Sequence, residues 1–201
     1  MDLVPWLLGA GETQHQPVLI AALHAGSCAG VAWALRRQLG ALTGREFGVL
    51  ALSSVPAAIA GLVVTDRFEH LWADRRVTAG LLATSGGVLL LADRRRTDRP
   101  VDDTSAATAA IAQLVALAPG VSRSGATLTA LRLRHTPRAA AQDFALLMSL
   151  PVTSGAAALR LLRADRVALR TLAPALATGV PIAAVTAAAT TAAVRRHGGA
   201  P

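Results

Sequence analysis

Five long apolar stretches, separated by shorter charged segments, constrain this chain more than any other feature. They are Pro17–Leu35, Phe47–Val64, Val77–Ala92, Ala139–Leu162 and Thr171–Val194. The hydrocarbon core of a bilayer is crossed by about 20 apolar residues of helix, and a helix satisfies its backbone hydrogen bonds internally. Because 53% of the residues are hydrophobic, we predict an all-α polytopic membrane protein, with residues 1–201 forming one transmembrane domain.

The basic residues lie mainly between these stretches. All 20 are arginines, and several form short runs, including Arg36-Arg37, Arg94–Arg96 and Arg195-Arg196. A formal net charge of +8 would also suit a nucleic-acid-binding protein. Arginine runs beside apolar stretches are, however, typical of loops that anchor membrane helices. We therefore exclude nucleic acid as a partner and assign loops 36–46 and 93–104 to the cytoplasmic side.

A sixth apolar segment, Ser105–Ala118, is too short to cross a bilayer and is followed by Pro119-Gly120. Non-helical backbone at membrane depth is tolerated only where it is buried in protein or lines a cavity. We expect Ser105–Thr127 to form a re-entrant hairpin or a broken helix. The chain would then have five or six membrane segments, one of them re-entrant.

Two of the stretches share a Ser-x-Pro sequence followed by glycine. Ser54-Val55-Pro56 precedes Gly61, and Ser149-Leu150-Pro151 precedes Gly155. Broken helices at corresponding positions of two halves are typical of inverted-repeat membrane proteins, whose site lies at the repeat interface. The sequence leaves open whether this echo is an inverted repeat or a chance match in an alanine-rich chain.

The segment Pro119–Thr127, PGVSRSGAT, concentrates polar groups within apolar surroundings. A charged residue in such a setting is costly in a bilayer and indicates a functional site by default. The planar guanidinium of Arg123 matches phosphate oxygens, and hydroxyls and glycine backbone N–H groups add further donors. We predict an oxyanion site, most readily for phosphate. The alternative is a polar turn whose arginine reaches lipid headgroups.

The same motif closely resembles that of the undecaprenyl-diphosphate phosphatase family of the bacitracin-resistance type. The family pattern, roughly Q-x-x-A-x-x-PG-x-SRSG-x-T, is matched by 113–127. The resemblance continues, in the family's order, at LHAGSCAGVAWALRRQL (Leu23–Leu39), SVPAAIAGLVV (Ser54–Val64) and RAAAQDFALLMSLPVTSGAAAL (138–159). The family's N-terminal motif, E-F-x-P-x-S-S-x-G-H, does not occur in this sequence, so the chain is similar to a shortened member.

The resemblance implies an enzyme of the bacterial plasma membrane that hydrolyses a C55 polyprenyl diphosphate to the monophosphate. This reaction recycles the lipid carrier of cell-wall synthesis, and Mg²⁺ or Ca²⁺ would assist it. The expected partners are the polyprenyl diphosphate lipid and the bilayer. Two alternatives stay open: a non-catalytic binder or flippase of polyprenyl phosphates, and an inactive truncated relic.

The resemblance also implies roles for individual residues. Arg123 and Ser122 would be catalytic and hold the diphosphate. The substrate-binding residues would be Gly120, Ser124, Gly125 and Thr127. Glu12 would be the catalytic carboxylate and metal ligand in place of the family's acidic residues, the alternative being a solvated carboxylate near the start of the chain.

Three other polar residues have a structural and a functional interpretation. His15 could transfer a proton near neutral pH or simply be exposed. His24 lies in an apolar stretch, where a polar side chain needs a partner. For Asp143, we favour a structural ion pair with Arg138 or Arg134.

Overall fold

The computed structural model describes residues 15–68, 75–94, 100–118 and 120–198, and within these ranges the regular structure is entirely helical. This confirms the predicted all-α class. The helices are α1 (Gln16–Ala34), α2 (Arg36–Ala41), α3 (Gly44–Phe68), α4 (Arg75–Asp93), α5 (Asp103–Val115), α6 (Arg123–Leu133), α7 (Arg138–Leu162) and α8 (Arg166–Gly198).

Helices form at all six predicted apolar segments, but they differ in their capacity to span a membrane. Within the described residues, α1, α7 and α8 are long and apolar enough to cross a bilayer. The predicted spans at 47–64 and 77–92 fall within α3 and α4, and their assignment as spans stays a prediction. The short helix α2 was not predicted, and it lies in loop 36–46.

The described residues form two compact units. The first contains α1 and Thr153–Ala193, and its helices approach at small residues. A Cβ on Gly26 would lie 2.6 Å from the carbonyl oxygen of Val180, and one on Gly30 would overlap the carbonyl of Ala184. Glycine on α1 is therefore what allows α8 to pack so closely, as at other membrane helix interfaces.

The second unit contains Leu35–Val152 and the end of α8 from Val194 onwards. In it α5 packs on both α3 and α6, and α6 also packs on α4. The buried face of α5 is made of small residues and one amide: Ser105, Ala106, Ala109, Ala110 and Gln113. Their spacing of three to four residues places them on one side of the helix, so the neighbouring helices can approach closely.

The start of α5 is fixed by Asp102, whose carboxylate accepts a hydrogen bond from the backbone N–H of Ser105 at 2.7 Å. Hydrogen bonds from the Ser105 side chain and backbone lower the pKa of Asp102 below its ordinary value. The helix ends at Val115, shortly before Pro119-Gly120. The predicted break in the chain is therefore present, and α5 and α6 are its two arms.

Ion pairs connect several helix ends of the second unit. Arg45 contacts Asp103 at 2.6 Å, which joins the two loops that we assigned to the same side of the membrane. The buried Arg132 donates to the carboxylate of Asp93 at 3.1 Å and to its carbonyl oxygen at 2.9 Å. These bonds hold the end of α6 against the end of α4.

The predicted partner of Asp143 was wrong. The carboxylate pairs with Arg195, whose Nε lies 2.8 Å from Oδ1, while Arg138 pairs with Asp93 at 3.3 Å. Sequence proximity favoured Arg138, but Asp143 lies within α7, where the far end of α8 supplies the closer guanidinium. The prediction that Asp143 makes a structural ion pair is nevertheless confirmed.

The two Ser-x-Pro segments come together in the second unit. Pro56 lies inside α3 and Pro151 inside α7. The Ser54 hydroxyl lies within hydrogen-bond distance of two carbonyl oxygens, that of Leu50 at 2.9 Å and that of Met148 at 3.3 Å. Met148 directly precedes the second Ser-x-Pro, so the sequence echo coincides with a contact between two proline-containing helices.

Candidate functional site: the N-terminus of α6

The motif PGVSRSGAT is placed at the N-terminus of α6. Ser122 is the N-cap and Arg123 the first helical residue. The first N–H groups of a helix have no carbonyl partner within it, and the helix dipole adds a partial positive charge there. The backbone geometry of the motif therefore suits an anion, before any side chain is considered.

The two motif serines lie beside each other at this helix end. The Ser122 hydroxyl accepts a hydrogen bond from the backbone N–H of Gly125 at 3.2 Å, and its oxygen lies 3.4 Å from the Ser124 hydroxyl. Ser122 is exposed and Ser124 is half-buried. Both hydroxyls can therefore be donors toward a ligand while Ser122 still caps the helix.

Arg123 brings a formal charge to the same place. Its side chain is partly buried, and its Nε has no hydrogen-bond partner within the described part of the chain. Arginine remains protonated in proteins. A partly desolvated cation with an unused donor suits a negatively charged ligand.

Gly120 is required by the turn that leads into the motif. Its φ of +89° is in the left-handed region, which favours glycine. A Cβ at this position would also overlap the backbone carbonyl of Thr78 on α4. The predicted substrate-binding role of Gly120 stays a prediction, and the structure gives the residue a clear conformational one.

Thr127 and Gly125 are engaged within the motif. Thr127 is only 1% exposed, and its hydroxyl donates to the carbonyl oxygen of Arg123 at 3.1 Å. Gly125 gives its N–H to Ser122. Thr127 thus holds the backbone on which Arg123 sits, and ligand contacts of both residues stay predictions.

A buried amide near the motif received no role from the sequence. Gln113 on α5 is 1% exposed, and neither its oxygen nor its nitrogen has a hydrogen-bond partner within the described residues. An unsatisfied buried polar group costs about 1–3 kcal/mol. The signal was present, because Gln113 is the first residue of the motif pattern that carries the family resemblance.

A groove opens beside the motif, between α4, α5 and α6. Its volume is 450 Å³, and its walls are almost entirely apolar. Ser122 and Gly125 line it, as do residues of α4 such as Leu82 and Gly86. The contribution of α4 could not be inferred from the motif, since α4 is distant in sequence.

Three other polar residues received candidate roles from the sequence. Glu12 lies outside the described residues. His24 is exposed, and its Nδ1 lies 2.8 Å from the carbonyl oxygen of Ile20 on the same helix. His15 is half-buried at the start of the described chain, and a catalytic role for it stays a prediction.

The described part of the motif does not fit a divalent cation. Mg²⁺ and Ca²⁺ prefer carboxylate and carbonyl oxygens, whereas this site presents a guanidinium and hydroxyl donors. Within the described residues, no three His, Cys, Asp or Glu side chains come together in a way that could hold a metal ion. The expected ion would need ligands such as Glu12, which lies outside the described residues.

Sequence comparison adds the decisive observation. Residues 1–197 match the family described as Bacitracin resistance protein BacA. The chain belongs to this family. The match confirms the resemblance on which the predicted residue roles were based.

Individual relatives in this family carry the name undecaprenyl-diphosphatase. The protein of Desulforudis audaxviator (strain MP104C) is 36% identical over 180 residues, covering 81% of this chain and 67% of the relative. That of Geobacter sulfurreducens (strain ATCC 51573 / DSM 12127 / PCA) is 36% identical over 180 residues, covering 79% and 66%. That of Anaeromyxobacter dehalogenans (strain 2CP-1 / ATCC BAA-258) is 40% identical over 136 residues, covering 61% and 45%. The matches thus span about two thirds or less of these relatives.

Proposed function

We propose that this chain is an undecaprenyl-diphosphate phosphatase, which hydrolyses a C55 polyprenyl diphosphate to the monophosphate. Hydrolysis replaces the bond between the terminal phosphorus and the bridging oxygen by a bond to a water oxygen, releasing inorganic phosphate. Relatives named undecaprenyl-diphosphatase support this reaction. The monophosphate would return to the pool of lipid carrier used in cell-wall synthesis.

The observation that carries the proposal is the position of Arg123 as the first residue of α6, beside Ser122 and Ser124. Phosphoryl transfer depends mainly on positioning and on neutralising charge on the phosphoryl oxygens. The helix N-terminus, the guanidinium and the two hydroxyls bring several donors to one place. In the proposed reaction they hold the diphosphate and stabilise the charge that develops on it.

We assign proton transfer and metal binding to residues other than Arg123, Ser122 and Ser124. Glu12 is the proposed carboxylate, acting as general base or as ligand of Mg²⁺ or Ca²⁺, and His15 is the proposed proton carrier. General acid–base groups contribute about 10²–10⁴-fold to a rate. Substituting Glu12 or His15 should therefore lower the turnover rate more than it lowers the affinity for the diphosphate.

The proposed setting is a bacterial plasma membrane crossed several times by the chain. At 1.5 Å per residue, the 13 residues of α5 and the 11 residues of α6 each fall well short of a bilayer core of about 30 Å. This supports a re-entrant hairpin made of α5 and α6. We also propose an inverted repeat in which α3 and α7 correspond, since each contains a proline within a Ser-x-Pro sequence.

The test is phosphate release by the purified full chain in detergent micelles with undecaprenyl diphosphate as substrate. We expect release of one phosphate per lipid, and loss of release in Arg123→Ala. Glu12→Gln should bind undecaprenyl diphosphate normally but release phosphate more slowly. Binding by the unaltered chain without any release would contradict the phosphatase and indicate a non-catalytic binder.

A further inference from the structure

The groove beside the motif is lined in part by residues of the motif itself. Ser122 and Gly125 belong to the anion-binding helix end and also line the groove. The walls are otherwise almost entirely apolar and include side chains such as Leu89, Val115 and Leu133. A molecule with an anionic head at the N-terminus of α6 would therefore have its adjoining apolar atoms inside the groove.

The size and surroundings of the groove also suit an extended apolar chain. Its volume of 450 Å³ lies in the usual range of small-molecule sites, about 300–1,000 Å³, so it can hold only the beginning of a long lipid tail. Leu82 and Val88 line the groove and are also exposed. The rest of a tail would pass them on its way into the surrounding lipid.

We propose that this groove holds the first isoprene units of the polyprenyl chain and that the α4 wall at Gly86 sets the space available to them. The inference rests on the proposed function, since it assumes a diphosphate head at the motif. It adds a tail subsite and a specificity-determining position on a helix that the motif does not include.

The physical role of such a groove is selection by shape. Lipid tails are about as apolar as the groove, so transferring a tail from lipid adds little hydrophobic energy. Filling the groove with a side chain would, however, exclude the tail sterically and tilt the head away from the motif. A larger residue at Gly86 should therefore weaken binding of the lipid and spare binding of a head group that has no tail.

Two neighbouring glycines give a matched pair for the test. Gly86 lines the groove and Gly87 does not, and a Cβ on either one would meet no atom within 4 Å. Leucine is also a better helix former than glycine, so neither substitution should destabilise α4. Binding of undecaprenyl diphosphate and of inorganic diphosphate would be measured for Gly86→Leu and Gly87→Leu of the full chain in micelles.

We expect Gly86→Leu to weaken undecaprenyl diphosphate binding at least tenfold and to leave inorganic diphosphate binding unchanged, while Gly87→Leu changes neither. Equal lipid binding by the two variants would overturn the inference and leave the proposed function standing. No binding of either probe by the unaltered chain would instead overturn the proposed function. If Gly86→Leu does not fold, Gly86→Ala takes its place in the comparison with Gly87→Leu, and we expect a smaller loss of affinity for undecaprenyl diphosphate.

Discussion

At the scale of single residues, Ser122 has a structural role and is proposed to bind the ligand as well. As the N-cap of α6 it accepts the N–H of Gly125, and as an exposed hydroxyl it can donate to an anion. An N-cap needs only an acceptor oxygen, whereas a phosphate site needs donors and no negative charge. The two roles can therefore be separated by substitution.

We predict that Ser122→Asp keeps α6 stable but weakens binding of inorganic diphosphate at least tenfold. An aspartate caps helices as well as serine does, but its charge repels the anion. Ser122→Ala should instead lower the free energy of unfolding by about 1 kcal/mol. Thermal unfolding and diphosphate binding, measured in micelles, check both statements, with Ser122→Thr as the control that keeps both roles. Diphosphate binding by Ser122→Asp at the unaltered affinity would contradict the site.

Residue types in the motif predict an anion site there, because arginine, hydroxyls and glycines have few other uses in an apolar setting, and the ligand itself stays a prediction. Partners that are distant in sequence could not be predicted. Asp143 pairs with Arg195, and Gly120 is held beside Thr78. Such contacts depend on how helices pack, and one sequence alone does not determine that packing.

At the scale of helices, the close approach of α1 and α8 depends on glycine. We predict that Gly30→Ala destabilises the protein, because its Cβ would overlap the carbonyl of Ala184. Overpacking of this kind costs about 1–3 kcal/mol. The measurement is the thermal unfolding of each variant in micelles.

Gly155→Ala is the matched control in the same unit. Gly155 lies inside α7, and a Cβ there would meet nothing within 4 Å. Alanine should raise the helix propensity without a clash, so this variant should be as stable as the unaltered chain or more so. Equal stability of Gly30→Ala would show that α1 and α8 do not pack as closely as described.

Hydrophobic pattern and length predicted most of the helices well. The stretch 17–35 became α1, and 139–162 became α7, with bounds differing by one residue or none. The pattern did not predict α2, which has no long apolar run. The predicted hairpin ended at Thr127, whereas α6 continues to Leu133. A helix that starts inside a polar motif lacks the long apolar run by which the other helices were predicted.

At the scale of the whole molecule, the α5–α6 hairpin is proposed to enter and leave the membrane on one side. We predict that single cysteines at Thr104 and Leu128, in a Cys28→Ser background, are labelled from the same side by a membrane-impermeant maleimide. The reason is that α5 is too short to span and packs against α6. Labelling of the two positions from opposite sides would contradict the re-entrant hairpin.

The central claim is that the N-terminus of α6 binds the diphosphate of a polyprenyl lipid through Arg123. The most direct measurement is the affinity of the purified full chain for undecaprenyl diphosphate, compared with Arg123→Lys and with Arg45→Lys as the surface control. Lysine keeps the charge but lacks the planar pair of donors, and loss of a charge-assisted contact costs about 2–5 kcal/mol.

We predict that Arg123→Lys loses most of the affinity for undecaprenyl diphosphate, nearly as much as Arg123→Ala, whereas Arg45→Lys binds it normally. A folded Arg123→Lys protein that binds undecaprenyl diphosphate with the affinity of the unaltered chain would contradict the claim.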